Sequence, residues 1–348
     1  MPPSLPCEEG HGVTGLKIAI VRLSSLGDII FCMASLQVIR RHLPECSITW
    51  FADRKFADIL DYQKDLERVV KVDLKGLKKS FSFDKLRQEY RQVAECGPFD
   101  MVIDMHGMIK AAAIARKVGT RTAGFARDVV KEPLATFLYD KKISIPLEMN
   151  TVYRYTSLAA QALGFEFDEN ELREKEPFIF HGPQDAAASD PFLRSDRKNI
   201  IFVVGSTWES RNYPKERLVT IANALRENIL ICHGSAAELE TANYIAEHCE
   251  YAKVLPKLSI NQLKAAISRA DLLIGGDTGP THIAWANNIP CVVLFGPTPA
   301  HRIYPGSKCK ILKSSSVVRE EKLNKNDFSI RELKEETIIA LAQELLRG

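Results

Sequence analysis

No run of apolar residues in this 348-residue chain is long enough to cross a bilayer. The eight cysteines fall without CxxC or His-rich spacing, which argues against a zinc site and for reduced thiols in a cytosol. A formal net charge of +3 is too small to imply a nucleic-acid partner, so any anion must be met by local clusters. No internal repeat of solenoid length is visible, and no DxD-like pair of carboxylates offers itself as a metal site. Residues 1–15 lack the apolar core of a signal peptide. Their Pro and Gly content marks them as a disordered leader, read here as the product of an upstream start site.

What is present is a soluble globular composition and a length that calls for two domains, each with its own core. Residues 17–23 read as a buried strand ending in the turn Ser24-Ser25-Leu26-Gly27-Asp28, with an apolar helix over 29–39. Residues 47–52 and 68–72 read as strands with a helix over 53–62 between them. A charged helical stretch at 84–94 precedes a strand at 101–104, and His106-Gly107 turns into a helix over 109–118. Residues 151–163 form an amphipathic helix, and the polar, Pro-bearing stretch 164–198 marks the junction. A second series then runs through strands at 199–204, 229–232, 272–274 and 291–295. Helices at 215–226, 236–248 and 259–269 alternate with them, and a last one covers about 330–346. Alternation of this kind specifies α/β halves built on doubly wound parallel sheets. The expected boundaries are 1–15 leader, 16–165 first domain, 166–329 second domain and 330–348 final helix.

The centre of the chain is Leu272-Leu273-Ile274-Gly275-Gly276-Asp277-Thr278-Gly279-Pro280-Thr281-His282-Ile283-Ala284. A short buried strand leads through glycines and an acid into a helix. Gly279 lets the backbone approach a ligand, Thr278 or Thr281 can cap the helix, and free amides at the helix start favour phosphate. The turn is neither a Walker loop nor GxGxxG. An ordinary strand-to-helix turn would look the same apart from Asp277 and His282.

With Phe295-Gly296-Pro297-Thr298 downstream and Ser24-Ser25-Leu26-Gly27-Asp28 upstream, this stretch resembles the ADP-heptose-using glycosyltransferases of lipopolysaccharide core synthesis, glycosyltransferase family 9. The resemblance covers roughly 17–312. Lys131-Glu132-Pro133-Leu134-Ala135 and Val254-Leu255-Pro256-Lys257 match its heptosyltransferase I subgroup better than heptosyltransferase II. It implies a GT-B fold, two Rossmann-like domains facing a central cleft, with the final helix packing back on the first. It also implies an inverting, metal-independent enzyme without cofactor that moves L-glycero-D-manno-heptose from ADP-heptose to Kdo-lipid A. The expected setting is a monomer at the cytoplasmic face of the inner membrane of a Gram-negative bacterium. Heptosyltransferase II or another acceptor is the nearer alternative. A non-catalytic nucleotide or lipid A binding module is the further one, and the acid at Asp28 argues against it.

Within that resemblance Asp28 matches the catalytic base, although alone it reads as a helix cap. Ser25 and Gly27 lie beside it, and Gly27 would let the acceptor approach. Arg211 matches a position where the family usually has Lys, and Asn212 one that is often His. Arg keeps the charge for the departing diphosphate but changes its reach. Ser206 and Thr207 match hydroxyls on phosphate. Glu238 matches the ribose-binding acid, or is simply an acid favourable in a helix's first turn. Leu258 matches an apolar position against adenine, or is plain core. Asp277 is expected on the heptose hydroxyls, and Thr278, Gly279 and Pro280 about the diphosphate, with Pro280 only shaping the turn. His282 could touch phosphate or hold the fold. Lys75, Lys78 and Lys79, with Lys110, Arg127 and Lys131, are the basic candidates for the anionic acceptor, or a solvated face.

Overall fold

The computed structural model describes residues 15–73, 90–319 and 323–348, so the basic loop carrying Lys75, Lys78 and Lys79 lies outside the described residues. Two six-stranded sheets organise the chain. The first contains β1 (Lys17–Val21), β2 (Ser47–Asp53), β3 (Arg68–Val72), β4 (Met101–Asp104), β5 (Thr122–Phe125) and β6 (Lys141–Ile143), in the order β3-β2-β1-β4-β5-β6. The second contains β7 (Asn199–Val203), β8 (Asn228–Cys232), β9 (Ala252–Val254), β10 (Leu272–Gly276), β11 (Cys291–Phe295) and β12 (Cys309–Lys313), in the order β12-β11-β10-β7-β8-β9. Every pairing is parallel, with β1 between β2 and β4 and β7 between β8 and β10. Each half therefore reverses direction beside its first strand, and a crevice opens there at the carboxyl ends.

Central strands such as KIAIV and NIIFV are almost wholly buried, as parallel strands covered on both faces must be. The helices used below are α1 (Leu26–His42), α2 (Ile109–Val118), α3 (Thr151–Leu163), α4 (Lys215–Leu225), α5 (Ala236–Glu247), α6 (Ile260–Ser268), α7 (Gly279–Ala286) and α8 (Glu335–Arg347). Two expectations about helices are corrected. Residues 53–62 form a turn and the 3-10 helix Ala57–Leu60, without a full α-helix. The final helix packs on α4, β10 and β11 of the second half, burying Ile338, Ala342 and Leu345 there, where packing on the first half was expected. Its buried residues share one apolar cluster with Leu218, Ile221, Ala222 and Leu225 of α4, and Arg217 holds it by pairing with Glu335.

One apolar cluster runs through both halves. Phe31 of α1 meets Trp285 of α7 edge-on at 6.3 Å, and Phe178 meets the same indole at 6.1 Å. Lys264 of α6, fully buried, donates to the Asp58 and Asp61 carbonyls of the first half at 3.0 and 3.1 Å. Such contacts set the two crevices face to face.

Candidate active site

Asp28 stands in the first turn of α1, and Ser25 is the N-cap. Its Oδ2 accepts the Ser25 N–H at 3.1 Å and the Ser25 hydroxyl at 2.7 Å, the return half of a capping arrangement. The same oxygen pairs with Arg22 Nη2 at 2.9 Å. Arg22, 7% exposed, also donates to the Met105 carbonyl and lies over the Tyr155 ring. Burial alone would raise the Asp28 pKa, but Arg22, Arg302 and the two Ser25 bonds outweigh it and hold the carboxyl well below the usual range. No described residue bonds Asp28 Oδ1. The helix begins at Leu26, not Ile29, so Asp28 is not itself the N-cap.

A cavity of about 700 Å³ opens before this carboxylate. Arg22, Ser25, Asp28, His106, Lys131, Arg154 and Arg302 line it, with Tyr155 and Val130 among its apolar walls. Lys110 lies close enough for its charge to bear on His106. Arg127 is exposed in the turn that leads to Lys131.

In the second half the expected donor residues follow the carboxyl ends of β7 to β10. Arg211 Nη1 donates to the Asp277 carbonyl at 3.0 Å and lies 3.4 Å from Asp277 Oδ2, while Nη2 donates to the Thr207 hydroxyl at 3.0 Å. Its guanidinium stacks on Trp208. Ser206 Oγ lies 2.7 Å from the Trp208 carbonyl and 3.0 Å from Asn212 Oδ1, which folds this loop on itself. Asp277, 2% exposed, is paired with His282 Nε2 at 3.0 Å and Arg302 Nη1 at 3.8 Å. Burial pushes its pKa up, but Arg302, His282 and Arg211 together hold it far below the ordinary value.

Glu238 accepts the Gly234 N–H at 2.6 Å in the first turn of α5, and its side chain lies where a Cβ on Gly205 would go. Leu258 is half-buried against the core. Thr278 occupies the N-cap position of α7 without a side-chain capping bond, and Pro280 sits in its first turn. His282 is buried against Phe31 at 4.6 Å, and its Nε2 lies 3.0 Å from Asp277 Oδ1.

Two glycines in the expected site lie at a close helix contact. A Cβ on Gly27 would lie 2.8 Å from His282 Cδ2, and one on Gly279 would lie 2.4 Å from Leu26 Cδ2. These glycines let α1 and α7 approach each other. On the side where a Cβ would point, Gly27 faces the His282 ring.

The residues that sequence reasoning missed are Arg22, Arg302, His106 and Tyr155. Arg22 carried a signal, a charge inside the otherwise apolar end of the first strand run. Arg302 follows the Phe295-Gly296-Pro297-Thr298 motif by four residues. His106 stood in a recognised turn with no role assigned.

A model of glycosyltransferase family 9 (heptosyltransferase) matches residues 85–331. The chain belongs to this family. It is 31% identical to lipopolysaccharide heptosyltransferase 1 of Campylobacter coli, over 95% of this chain and 99% of that one. It is 30% identical to the Pseudomonas aeruginosa protein of the same name, over 81% of this chain and 79% of that one. The solved structure of E. coli heptosyltransferase WaaC with ADP superposes with a TM-score of 0.77 at 22% identity, covering 95% of this chain and 100% of that one. The family member is thus a glycosyltransferase of GT-B fold, and the two crevices are the two sides of its cleft.

Proposed function

We propose that this enzyme moves L-glycero-D-manno-heptose from ADP-heptose to the Kdo of Kdo-lipid A, with inversion and without a metal. The relatives named lipopolysaccharide heptosyltransferase 1 support the inner-core reaction. The observation that carries the site assignment is the half-buried Asp28, facing a basic cavity on one side and the Arg211–Asp277–Arg302 cluster on the other.

Asp28 Oδ2 is occupied by Ser25 and Arg22, which leaves Oδ1 for the acceptor hydroxyl. As that hydroxyl attacks the anomeric carbon in line, Oδ1 takes its proton. Negative charge grows on the departing diphosphate. Arg211 and the amides at the start of α7 stand where they can stabilise it. Asp277 is assigned to the heptose through its unshared lone pairs, because Arg211, Arg302 and His282 already hold it. In this reading Arg211 and Arg302 supply the positive charge that the departing diphosphate needs.

Arg22, Arg154, Lys131 and Arg302 suit an acceptor rich in carboxylate and phosphate. Exposed apolar side chains close in sequence to the lining residues Met108 and Lys131 suit a lipid-bearing one. Leu134 and Phe137, three apart on the 3-10 helix Pro133–Leu138, are 63% and 74% exposed, and neighbouring Ile109 is 44% exposed. They support a peripheral position at an anionic membrane, on a chain whose described helices include none long and apolar enough to span one.

Purified protein given ADP-heptose with EDTA present should glycosylate Kdo-lipid A and leave heptosylated core unchanged. Turnover of the heptosylated core alone would replace this reading with heptosyltransferase II. Activity lost to EDTA and restored by magnesium would overturn the metal-free mechanism.

A further inference from the structure

His106 stands just past β4 at the first sheet's reversal point, and its ring enters the lining of the Asp28 cavity. The side chain is 9% exposed, yet neither Nδ1 nor Nε2 has a hydrogen-bond partner among the described residues. Its placement is not slack. The His106 N–H donates to Asp104 Oδ1 at 2.7 Å, the Gly107 N–H donates to the same oxygen at 3.1 Å, and the Tyr139 hydroxyl donates to Oδ2 at 2.5 Å. Gly107 itself takes φ +68°, where a Cβ would meet Val130, so the turn is fixed on both sides of the histidine.

A buried polar group without partners costs stability, and folded proteins rarely keep one unless something else supplies the bond. A histidine with both nitrogens unmet carries that cost twice. Burial, with the positive charges of Arg22, Lys110 and Lys131, pushes its pKa down to about 3 against the opposing pull of Asp28. Near pH 7 the ring is then neutral, with one N–H donor and one acceptor nitrogen. The cations around it can only donate. Like the Ser24, Ser25 and Tyr155 hydroxyls of the same lining, the neutral imidazole can both give and receive a hydrogen bond, and its two nitrogens are the ones left unmet.

We propose that His106 binds the acceptor sugar, its two ring nitrogens pairing with hydroxyls next to the one that Asp28 deprotonates. This rests on the reading of the cavity as the acceptor site. A sugar presenting hydroxyls at both nitrogens is preferred, and an analogue lacking one leaves a buried group unpaired and is rejected.

The test compares His106→Ala and His106→Gln with the wild type in steady-state assays, ADP binding and thermal melting. For His106→Ala, kcat/KM towards Kdo-lipid A should fall about ten- to a hundredfold, mostly through acceptor KM, from the loss of one or two hydrogen bonds. ADP affinity should stay within about twofold, and the melting temperature should not fall, since no bond within the protein is removed. His106→Gln, whose amide both donates and accepts, should recover part of the loss. In wild-type protein saturated with ADP, ring-15N resonances of His106 should move on addition of Kdo. Unchanged acceptor kinetics in His106→Ala, an equal loss of ADP affinity, or ring resonances that stay still with the acceptor sugar would each overturn the proposal. If the wild type used heptosylated core in place of Kdo-lipid A, the acceptor named above would be wrong. The same ratios and shifts, measured with that core, would still decide the role of His106.

Discussion

Arg22 Nη2 lies 2.9 Å from Asp28 Oδ2, so the carboxylate placed as the base is held by a buried cation. The pair trades basicity for certainty of charge. An Asp28 that stays ionised at every physiological pH is always ready to accept a proton, although each acceptance must loosen the hold of Arg22. In the proposed reaction the proton goes to the opposite oxygen, Oδ1.

Asp28→Asn should reduce turnover by roughly a hundredfold or more, the usual scale of general-base assistance, and leave ADP binding near normal. The amide oxygen can still accept from Ser25. Arg22 loses its counter-charge, however, so the melting temperature should drop, by an equivalent of roughly 1–3 kcal/mol. Kinetics, calorimetric ADP titration and thermal melts check the three parts. Full activity in this variant would make Asp28 a helix-capping residue only.

Arg22→Met should change the pH profile. In the wild type the folded Asp28 pKa lies below its unfolded value. The stability it contributes is therefore present above the unfolded value near 4 and lost as pH falls towards the folded one. By the same depression, Asp28 protonation cannot limit kcat/KM at neutral pH. Without Arg22, burial is opposed less, and the acid limb of kcat/KM should move to higher pH. An acid limb that does not move would show that Arg22 leaves the base untouched.

Arg302→Ala should impair donor and acceptor sides together. Arg302 lies 3.8 Å from Asp277 and its charge helps hold Asp28 ionised. A loss of about ten- to a hundredfold in kcat is expected, on the scale of removing one charge-stabilising donor. Combined with Arg211→Ala, the loss should be non-additive, because both arginines act on Asp277. Strictly additive effects would separate the two.

Gly279→Ala should destabilise the fold by about 1–3 kcal/mol, the usual cost of overpacking, since its new methyl would meet Leu26 at 2.4 Å. Leu26→Ala in the same chain should restore part of that. Denaturant titration of the single and double variants measures the coupling. Independence would mean that the two helix starts do not touch in solution.

His106→Gln should also relieve acid sensitivity. The folded ring titrates at about 3 and the ordinary one at 6.5, so below pH 6.5 the unfolded chain takes a proton that the folded one refuses. Stability is lost progressively from there downward, by roughly 2 kcal/mol at pH 5. The glutamine variant should lose less between pH 7 and pH 5. Parallel melting curves across that range would contradict the burial of a neutral ring.

The sequence by itself determined the layered architecture, because fully buried parallel strands need continuous apolar runs. Residues 17–21, 101–104, 199–203 and 291–295 announce themselves in that way. It was silent on β5, β6, β9 and β12, which carry Gly or Lys and lie at or next to a sheet edge, where alternation and apolarity are weak. It also marked Asp28, Arg211 and Asp277 by their motifs.

What only the tertiary structure decided is how these carboxylates and cations share one cleft. Arg22, His106 and Arg302 stand in different turns, and no spacing along the chain says that two reversal points will face each other. Apolar burial around Phe31, Trp285 and Phe178 fixes that arrangement, and Gly27 and Gly279 allow it by leaving room between α1 and α7. Local pattern reports which face of a strand or helix is buried. The partner against which that face is buried, and hence the charge standing beside Asp28, is set by contacts between residues far apart in the chain.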